Sequence, residues 1–226
     1  MASGVDGYGQ YCPISRAVEV LGERWSLLIV RDMLCGYTRF NELARGNPGL
    51  SRSLLAKRLR QLESAGIVER LGGEYALTPA GEDLRPVVFG LGEWGAKWQF
   101  SDPREHELDP ELLMWWAHTR VDFSAFPDRR IVLQFVFRGV RRRFWIVKDA
   151  SGPSLCTHDP GFDVDVRVEA DLSTMYQVWL GRVDLRAAVR DGSVELIGPS
   201  GLVRRMPDAL MLSPVAPFVV SARGGR

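Results

Sequence analysis

The chain has 226 residues, of which 46% are hydrophobic and 25% charged, and its formal net charge is +1. This is an ordinary composition for a globular protein, and the length is more than one typical domain needs. No run approaches the ~18 uninterrupted apolar residues of a membrane span, and the N-terminus lacks the features of a signal peptide. Three widely spaced cysteines argue against a disulfide scaffold and favour a reducing cytoplasm.

The N-terminal part of the chain is predicted to contain a tail and two helices. Residues 1–10 carry no helical or strand pattern and are predicted to be a flexible tail. The first helix is predicted over about Ile14 to Leu21, and Cys12 lies at its N-terminus, where the helix dipole favours a thiolate. The alternative for Cys12 is a small buried residue. A second, strongly apolar helix is predicted from Arg24 through Leu34.

Two further helices separated by a tight turn are predicted over residues 38–45 and 51–64. Thr38 and Ser51 are the expected N-caps, because a hydroxyl can accept a hydrogen bond from a free N–H of the first turn. The residues between the helices have turn chemistry, and Gly66 fits the left-handed position after the second helix. This order predicts a helix-turn-helix, whose second helix usually reads DNA bases.

The helix from Ser51 has an apolar face and a basic face. Leu55, Leu59 and Leu62 recur at i, i+4 and i+7 and therefore share one side. Residues 39–70 hold seven cations and three anions, a local charge of +4 in a chain of +1. Alone, such a helix would more often be a solvated surface helix, but the preceding helix and the local charge favour DNA binding.

The predicted DNA contacts fall into two groups. The expected contacts in the major groove are Arg52, Ser53, Lys57 and Arg60. The expected phosphate contacts are Arg39, Arg58 and Arg70. Arg58 lies close to the apolar seam of its helix, so it could equally be a buttress that packs inside the domain.

A short hairpin and a long helix are predicted next. The strands 67–71 and 74–77 flank Gly72-Gly73, which is a two-residue hairpin signal and predicts a small wing. Thr78 then caps a helix that begins at Pro79. Apolar residues recur along the following helix, and they form either intrachain core or the shared core of a dimer. These residues are Leu84, Val87, Val88, Leu91, Trp94 and Trp98.

Four segments together resemble HxlR-type bacterial transcriptional regulators. They are Cys12–Ile29, Arg39–Leu43, Ser51–Gly66 and Tyr75–Gly81, and the resemblance covers about residues 10 to 100. It implies a winged helix-turn-helix fold that is mainly α, operator binding as a homodimer, and dimer contacts at Leu91, Trp94 and Trp98. The wing is shorter than in many members. Because some members sense oxidants or electrophiles through a cysteine near Cys12, a redox regulator is an alternative.

The remainder of the chain is predicted to be a separate α+β domain. Residues 101–110 are polar, contain two prolines and are predicted to be a linker between domain 11–100 and domain 111–226. Strands are predicted at 131–137, 143–147, 163–169 and 193–197, and helices at 110–119, 171–180, 184–191 and 199–210. Residues 166–199 carry a resemblance to the sterol carrier protein 2 fold that spans about residues 110 to 215, and it implies a cavity for an apolar small-molecule effector.

The second domain is rich in aromatic residues, as an apolar ligand pocket requires. The predicted pocket residues are Trp116, Phe135, Phe137, Trp145, Met175 and Trp179, and the alternatives are that they fill a core or serve a lipid-binding or transfer protein. The three histidines lack metal-ligand spacing, and no phosphate loop or nucleophile elbow is present, so we expect no enzyme, metal or cofactor. The sequence thus predicts a cytoplasmic, homodimeric transcription regulator whose partner is double-stranded DNA.

Overall fold

The computed structural model describes residues 7–224, so the first six residues of the predicted tail lie outside the described residues. Residues 8 and 10 of that tail are bound to the first helix. The Tyr8 N–H donates to the Glu19 carboxylate at 2.9 Å, and the Ser15 hydroxyl donates to the Gln10 side chain at 2.7 Å. The chain forms two compact units, one up to residue 91 and one from residue 92 onward. This division falls ahead of the predicted linker 101–110.

The first unit consists of helices and one hairpin. Its core is aliphatic, with Ile29, Leu43, Leu55 and Leu59 fully buried. The strands are β1 (Val68–Leu71) and β2 (Glu74–Leu77). The helices are α1 (Pro13–Leu21), α2 (Ser26–Leu34), α3 (Phe40–Gly46), α4 (Arg52–Ser64), α5 (Pro79–Glu82) and α6 (Arg85–Trp98), of which α6 continues into the second unit.

Three predicted local signals are confirmed in this unit. The Ser51 hydroxyl accepts from the Leu54 N–H at 3.3 Å, and the Thr78 hydroxyl accepts from the Gly81 N–H at 3.2 Å. Gly66 has φ +70°, the left-handed conformation expected after α4. The cap residues therefore set the start of α4 and of α5 as the sequence indicates.

Two predicted helix starts are wrong. The helix predicted from Thr38 begins at Phe40, because the Glu42 carboxylate accepts from the N–H groups of Thr38 at 3.0 Å and Arg39 at 2.9 Å. An acid in the first turn thus caps α3 in place of the Thr38 hydroxyl. The helix predicted from Arg24 begins two residues later, since Trp25 has φ +82° and cannot be part of a right-handed helix.

The predicted hairpin is confirmed. Strands β1 and β2 are antiparallel, with Val68 opposite Leu77 and Leu71 opposite Glu74. Gly72 has φ +57° and Gly73 has φ +93°, so both central residues of the turn are left-handed, as a type I′ turn requires. This pair of glycines gives the shortest connection between the two strands.

The second unit has helices and a five-stranded sheet in the order β5-β4-β3-β6-β7, an α+β arrangement. Strands β3 and β6 are parallel, and the other neighbours are antiparallel. The strands are β3 (Ile131–Phe137), β4 (Arg143–Asp149), β5 (Gly152–Cys156), β6 (Val166–Ala170) and β7 (Val194–Ile197). The helices are α7 (Pro110–Ala117), α8 (Leu172–Trp179), α9 (Leu185–Arg190), α10 (Ser200–Val203), α11 (Met206–Ala209) and α12 (Ala216–Gly224).

Several features of this unit differ from the prediction, including the strand predicted at 163–169, which begins at Val166. The helix predicted over 199–210 is two short helices, α10 and α11, because the Pro207 ring clashes with the carbonyl four residues earlier. Strand β5 and helix α12 were not predicted. Among residues 7–224, no helix has the length and apolar character that crossing a membrane requires.

Alternation along the strands gives the sheet two different faces. One face and the helices packed on it form the main core, which includes Leu133, Phe135, Phe144 and Val168. The opposite face carries a smaller buried cluster of Val132, Trp145 and Val147, with Cys156 packed against it. Neighbouring residues of one strand thus belong to different clusters.

Candidate nucleic-acid interface

Helix α4 has one buried face and one exposed basic face. Leu55, Leu59 and Leu62 are buried in the unit. Lys57 and Arg60 project from the opposite side and are exposed. Within residues 7–224 neither of these two cations makes an ion pair or a hydrogen bond through its side chain, so both charges are free to meet an anion. Ser53 is also exposed, with its hydroxyl oxygen 3.2 Å from that of Ser51.

Arg52, in the first turn of α4, is exposed but fixed in position. Its Nη2 donates to the Asn41 side-chain oxygen at 2.7 Å. Its guanidinium carbon lies 5.0 Å from the centre of the Phe40 ring, a cation–π distance. Both partners are on α3, so Arg52 is presented at a defined angle by the preceding helix.

Arg58 has a different environment from the other predicted contacts, since only 7% of the residue is exposed. Its guanidinium forms an ion pair with Glu23 and donates to the Arg24 carbonyl at 3.1 Å. A further hydrogen bond of 2.6 Å joins it to the Gln61 side chain. Of the two roles that the sequence left open for Arg58, this geometry is that of a buttress between α4 and the segment before α2.

A buried carboxylate holds the turn of the helix-turn-helix, and sequence reasoning missed it. Asp32 on α2 is 2% exposed and accepts from the Asn47 side-chain amide at 2.7 Å. Burial raises the pKa of Asp32, while the adjacent Arg31 guanidinium, 2.7 Å away, opposes this shift. The Asn47 amide also donates to the Leu43 carbonyl at 2.9 Å. Gly46 is required here, because an added Cβ would lie 2.5 Å from the Asp32 carboxylate.

Of the two predicted phosphate contacts near the wing, Arg70 is exposed, whereas Arg39 forms an ion pair with a residue of the wing. Arg70 on β1 is exposed, with its guanidinium carbon 5.7 Å from the centre of the Tyr75 ring. Arg39, just before α3, is exposed too, but its Nε donates to the Glu74 carboxylate on β2 at 2.7 Å. The charge of Arg39 is therefore partly neutralised inside the protein.

Helix α6 carries an exposed apolar stripe. Val88 is buried, whereas four residues at spacings of four, three and four remain largely exposed. Their exposed fractions are Val87 47%, Leu91 50%, Trp94 55% and Trp98 61%. An exposed apolar surface that includes two tryptophans is unusual for a face that meets water.

The sequence profile described as "HxlR-like helix-turn-helix" matches residues 20–103. An HTH-type transcriptional regulator of Synechocystis, sll1512, is 36% identical over 107 residues, which are 44% of this chain and 79% of that protein. YvaP of Bacillus subtilis, also named an HTH-type transcriptional regulator, is 36% identical over 112 residues, 46% of this chain and 95% of its own length.

The chain belongs to the HxlR family. It is a DNA-binding transcriptional regulator with a winged helix-turn-helix in its N-terminal part.

Two solved structures are each similar to part of this HxlR-type chain. Quinone-bound YodB from B. subtilis is 35% identical, and the match covers 38% of this chain and 99% of that one with a TM-score of 0.36. The oxidised form of HypR, titled a redox regulator, is 34% identical, with 40% of this chain and 100% of that one covered and a TM-score of 0.37.

Cys12 is the N-cap residue of α1 in this HxlR-type protein and is partly exposed. The nearby backbone N–H groups of Ser15 and then Ile14, at the start of α1, lower the pKa of the Cys12 thiol. These N–H groups favour the thiolate, which is the reactive form of cysteine. The helix start thus gives Cys12 the environment that the sequence predicted for it.

Five of the six predicted pocket residues of the second unit meet in one cluster. Trp116 is partly buried against the main core, and the other four lie inside it, namely Phe135, Phe137, Met175 and Trp179. Trp145 is on the opposite face of the sheet, in the smaller cluster, because it alternates with Phe144 along β4. Among residues 7–224, no group of three or more His, Cys, Asp or Glu side chains could hold a metal ion.

Proposed function

We propose that this HxlR-type regulator binds its operator as a homodimer and reads the major groove with α4. The observation that carries the proposal is the exposed, unpaired pair Lys57 and Arg60, opposite a buried leucine face. The proposed groove contacts are Arg52, Ser53, Lys57 and Arg60, and the proposed phosphate contacts are Arg39 and Arg70. Arg58 supports the helix from inside the unit and is left out of the interface.

A gel-shift titration tests this assignment on a duplex selected by the wild-type protein from a random pool. We expect Lys57→Ala and Arg60→Ala each to lower operator affinity about tenfold, since each removes a free cation from the interface. Arg70→Ala, which removes a proposed phosphate contact, would instead reduce the salt dependence of binding by about one ion. The matched control is Arg85→Ala, which removes an exposed arginine of α6 that pairs with Glu82 of α5. Unchanged affinity in both α4 variants would refute this face as the reader.

The homodimer is proposed from the exposed stripe of α6. Leu91, Trp94 and Trp98 are the proposed contacts, and a second copy of the helix would remove their apolar surface from water. Exposed apolar residues on α1, such as Ile14 and Val18, are available to extend the same interface. A two-fold protein then matches a two-fold operator.

An apolar small molecule is the proposed effector, held by a sterol carrier protein 2-like domain in the second unit. The proposal is supported by the cluster of Trp116, Phe135, Phe137, Met175 and Trp179 between one sheet face and the helices. Native mass spectrometry of protein purified from cells would show a retained apolar molecule. Removing that molecule should change operator affinity, because an effector must bind two states of the protein unequally. A lipid-binding protein without regulation would retain the molecule and leave operator affinity unchanged.

A thiol switch at Cys12 is a second candidate function, favoured by the lowered pKa of this thiol. Treatment with hydrogen peroxide should then change the operator affinity of the wild type but not of Cys12→Ser. Cys35→Ser is the matched control, since Cys35 is exposed and lies outside a helix N-terminus. A response that persists in Cys12→Ser would refute the switch.

A further inference from the structure

We propose that Glu74 is a positioning residue that fastens the wing to the helix-turn-helix and so sets where the wing meets DNA. Its carboxylate has two partners in the segment before α3. One oxygen accepts from the Thr38 hydroxyl at 2.9 Å, and the other accepts from Arg39 Nε at 2.7 Å. Glu74 is separated from these partners by 36 and 35 residues, so the bonds join two distant segments of the unit.

The donor segment is itself held in place, which makes the attachment rigid. The Glu42 carboxylate of α3 accepts from the backbone N–H groups of both Thr38 and Arg39. A backbone bond of 2.7 Å from Tyr75 N–H to the Thr38 carbonyl lies directly beside the Glu74 contacts. Strand β2 is therefore connected to the start of α3 through side chains and backbone together.

The wing needs such an attachment, because a two-stranded hairpin is at best marginally stable by itself. Only four residue pairs join β1 and β2. Strand β1 carries a second acid, Glu69, whose exposed side chain makes no hydrogen bond or ion pair in the described part of the chain. Glu74 thus bonds to another segment of the unit through its side chain, whereas Glu69 does not.

Charge makes the role of Glu74 testable. An anion near DNA repels phosphates, so removing either acid of the wing should by electrostatics alone strengthen DNA binding. Removing Glu74 would also release Arg39 from its ion pair and add to the attraction. A loss of affinity on removal of Glu74 therefore runs against the electrostatic effect, and it points to lost positioning once a loss of folded protein has been excluded.

The experiment compares Glu74→Ala with Glu69→Ala on the selected operator, and it rests on the proposed operator binding. We expect Glu74→Ala to lower affinity about three- to tenfold and Glu69→Ala to leave it unchanged or raise it. Thr38→Val should lower affinity in the same direction, with less than additive effect when combined with Glu74→Ala, because both act through one contact. The side chain of Glu74 is 43% exposed, so the variants should fold.

Hydroxyl-radical footprinting separates positioning from a general loss of folded protein. At saturating protein, Glu74→Ala should lose protection of the nucleotides that flank the half-site and keep the protection given by α4. Equal affinities of the two alanine variants, or a uniform loss of protection, would overturn the role of Glu74 alone. A wild-type protein without salt-dependent duplex binding would overturn this role and the proposed operator binding together.

Discussion

Asp32 is a buried residue that contacts the turn of the helix-turn-helix. Its buried carboxylate receives the Asn47 amide from the turn and the Arg31 guanidinium from its own helix. Burial of a carboxylate is unfavourable for the charged form, and these two donors compensate only in part, because the pKa of Asp32 remains raised. The turn is thus held by an acid whose protonation is favoured by folding.

This leads to a prediction for the pH dependence of stability. Because the pKa of Asp32 is higher in the folded state, folding binds protons as the pH falls through that pKa. The unfolding free energy of the wild type minus that of Asp32→Asn should therefore rise on acidification and level off below about pH 3.9. Hydrogen exchange of the buried α2 amides, corrected for intrinsic rates, measures this difference.

Asp122 provides a control of opposite sign. Hydrogen bonds from the Ser124 side chain and backbone lower the pKa of Asp122 in the folded protein. The stability of the wild type relative to Asp122→Asn should therefore fall as the pH drops through that lowered pKa. The same sign for Asp32 and Asp122 would contradict the assignment of burial as the dominant cause at Asp32.

At the scale of elements, the sequence predicts best those helix ends and turns that depend on residues close together in the chain. The caps at Ser51 and Thr78 and the Gly72-Gly73 turn are correct, because each partner lies within three residues of the cap or turn. The cap at Thr38 fails because the Thr38 hydroxyl donates to Glu74, and the Glu42 carboxylate accepts from the N–H groups of Thr38 and Arg39 instead. Cap prediction therefore needs both the hydroxyl and the acid of the first turn to be weighed.

Contacts between distant segments could not be predicted. The sequence leaves Arg58 beside the apolar seam, but only folding brings Glu23 and the Arg24 carbonyl to it. The contact of Glu74 with Thr38 likewise has no local pattern. Trp145 is different. It follows Phe144 directly in β4, and neighbouring residues of a strand point to opposite faces of the sheet. Because Phe144 pairs with Phe135, Trp145 cannot share a face with Phe135.

Strand β5 has a composition that does not predict a strand. It contains Gly152 and Pro153, which are both depleted in strands. Proline is tolerated there because β5 is an edge of the sheet, where an N–H is not needed on the outer side. The position of a strand in its sheet is a property of the fold, so the sequence alone did not indicate β5.

The turn of the wing carries an element-scale prediction. Gly72→Val should disrupt the hairpin, because a β-branched residue at φ +57° is strained by roughly 1–2 kcal/mol. Gly72→Asn should be tolerated, since asparagine adopts the left-handed conformation readily. Exchange of the β1 and β2 amides and operator affinity measure the effect. Equal behaviour of the valine and asparagine variants would contradict a wing held by its turn.

At the scale of the whole molecule, α6 is the element that belongs to both units. The boundary between the two units lies within α6, between Leu91 and Gly92. The exposed stripe therefore includes residues of both units, namely Val87, Leu91, Trp94 and Trp98. A dimer built on this stripe would join two copies through the same helix that continues from the DNA-binding unit.

The decisive prediction for this arrangement is the effect of Leu91→Asp. A carboxylate at the centre of the stripe would have to be buried without a partner in the dimer, which costs several kcal/mol. We expect sedimentation velocity to show a dimer for the wild type and a monomer for Leu91→Asp at the same concentration. Operator affinity should fall at least tenfold, because a monomer contacts only one of the two half-sites. Binding should also depend more steeply on protein concentration, because two monomers must then bind one operator.

Met211→Asp is the matched control for this change. Met211 is 42% exposed, close to the exposure of Leu91, but lies outside α6. This variant should remain a dimer and bind the operator as the wild type does, since its carboxylate stays in water. Circular dichroism should show both variants folded, because both changes are made at exposed positions. A Leu91→Asp protein that remains dimeric would place the interface on a different surface, and the exposed stripe of α6 would then need another partner.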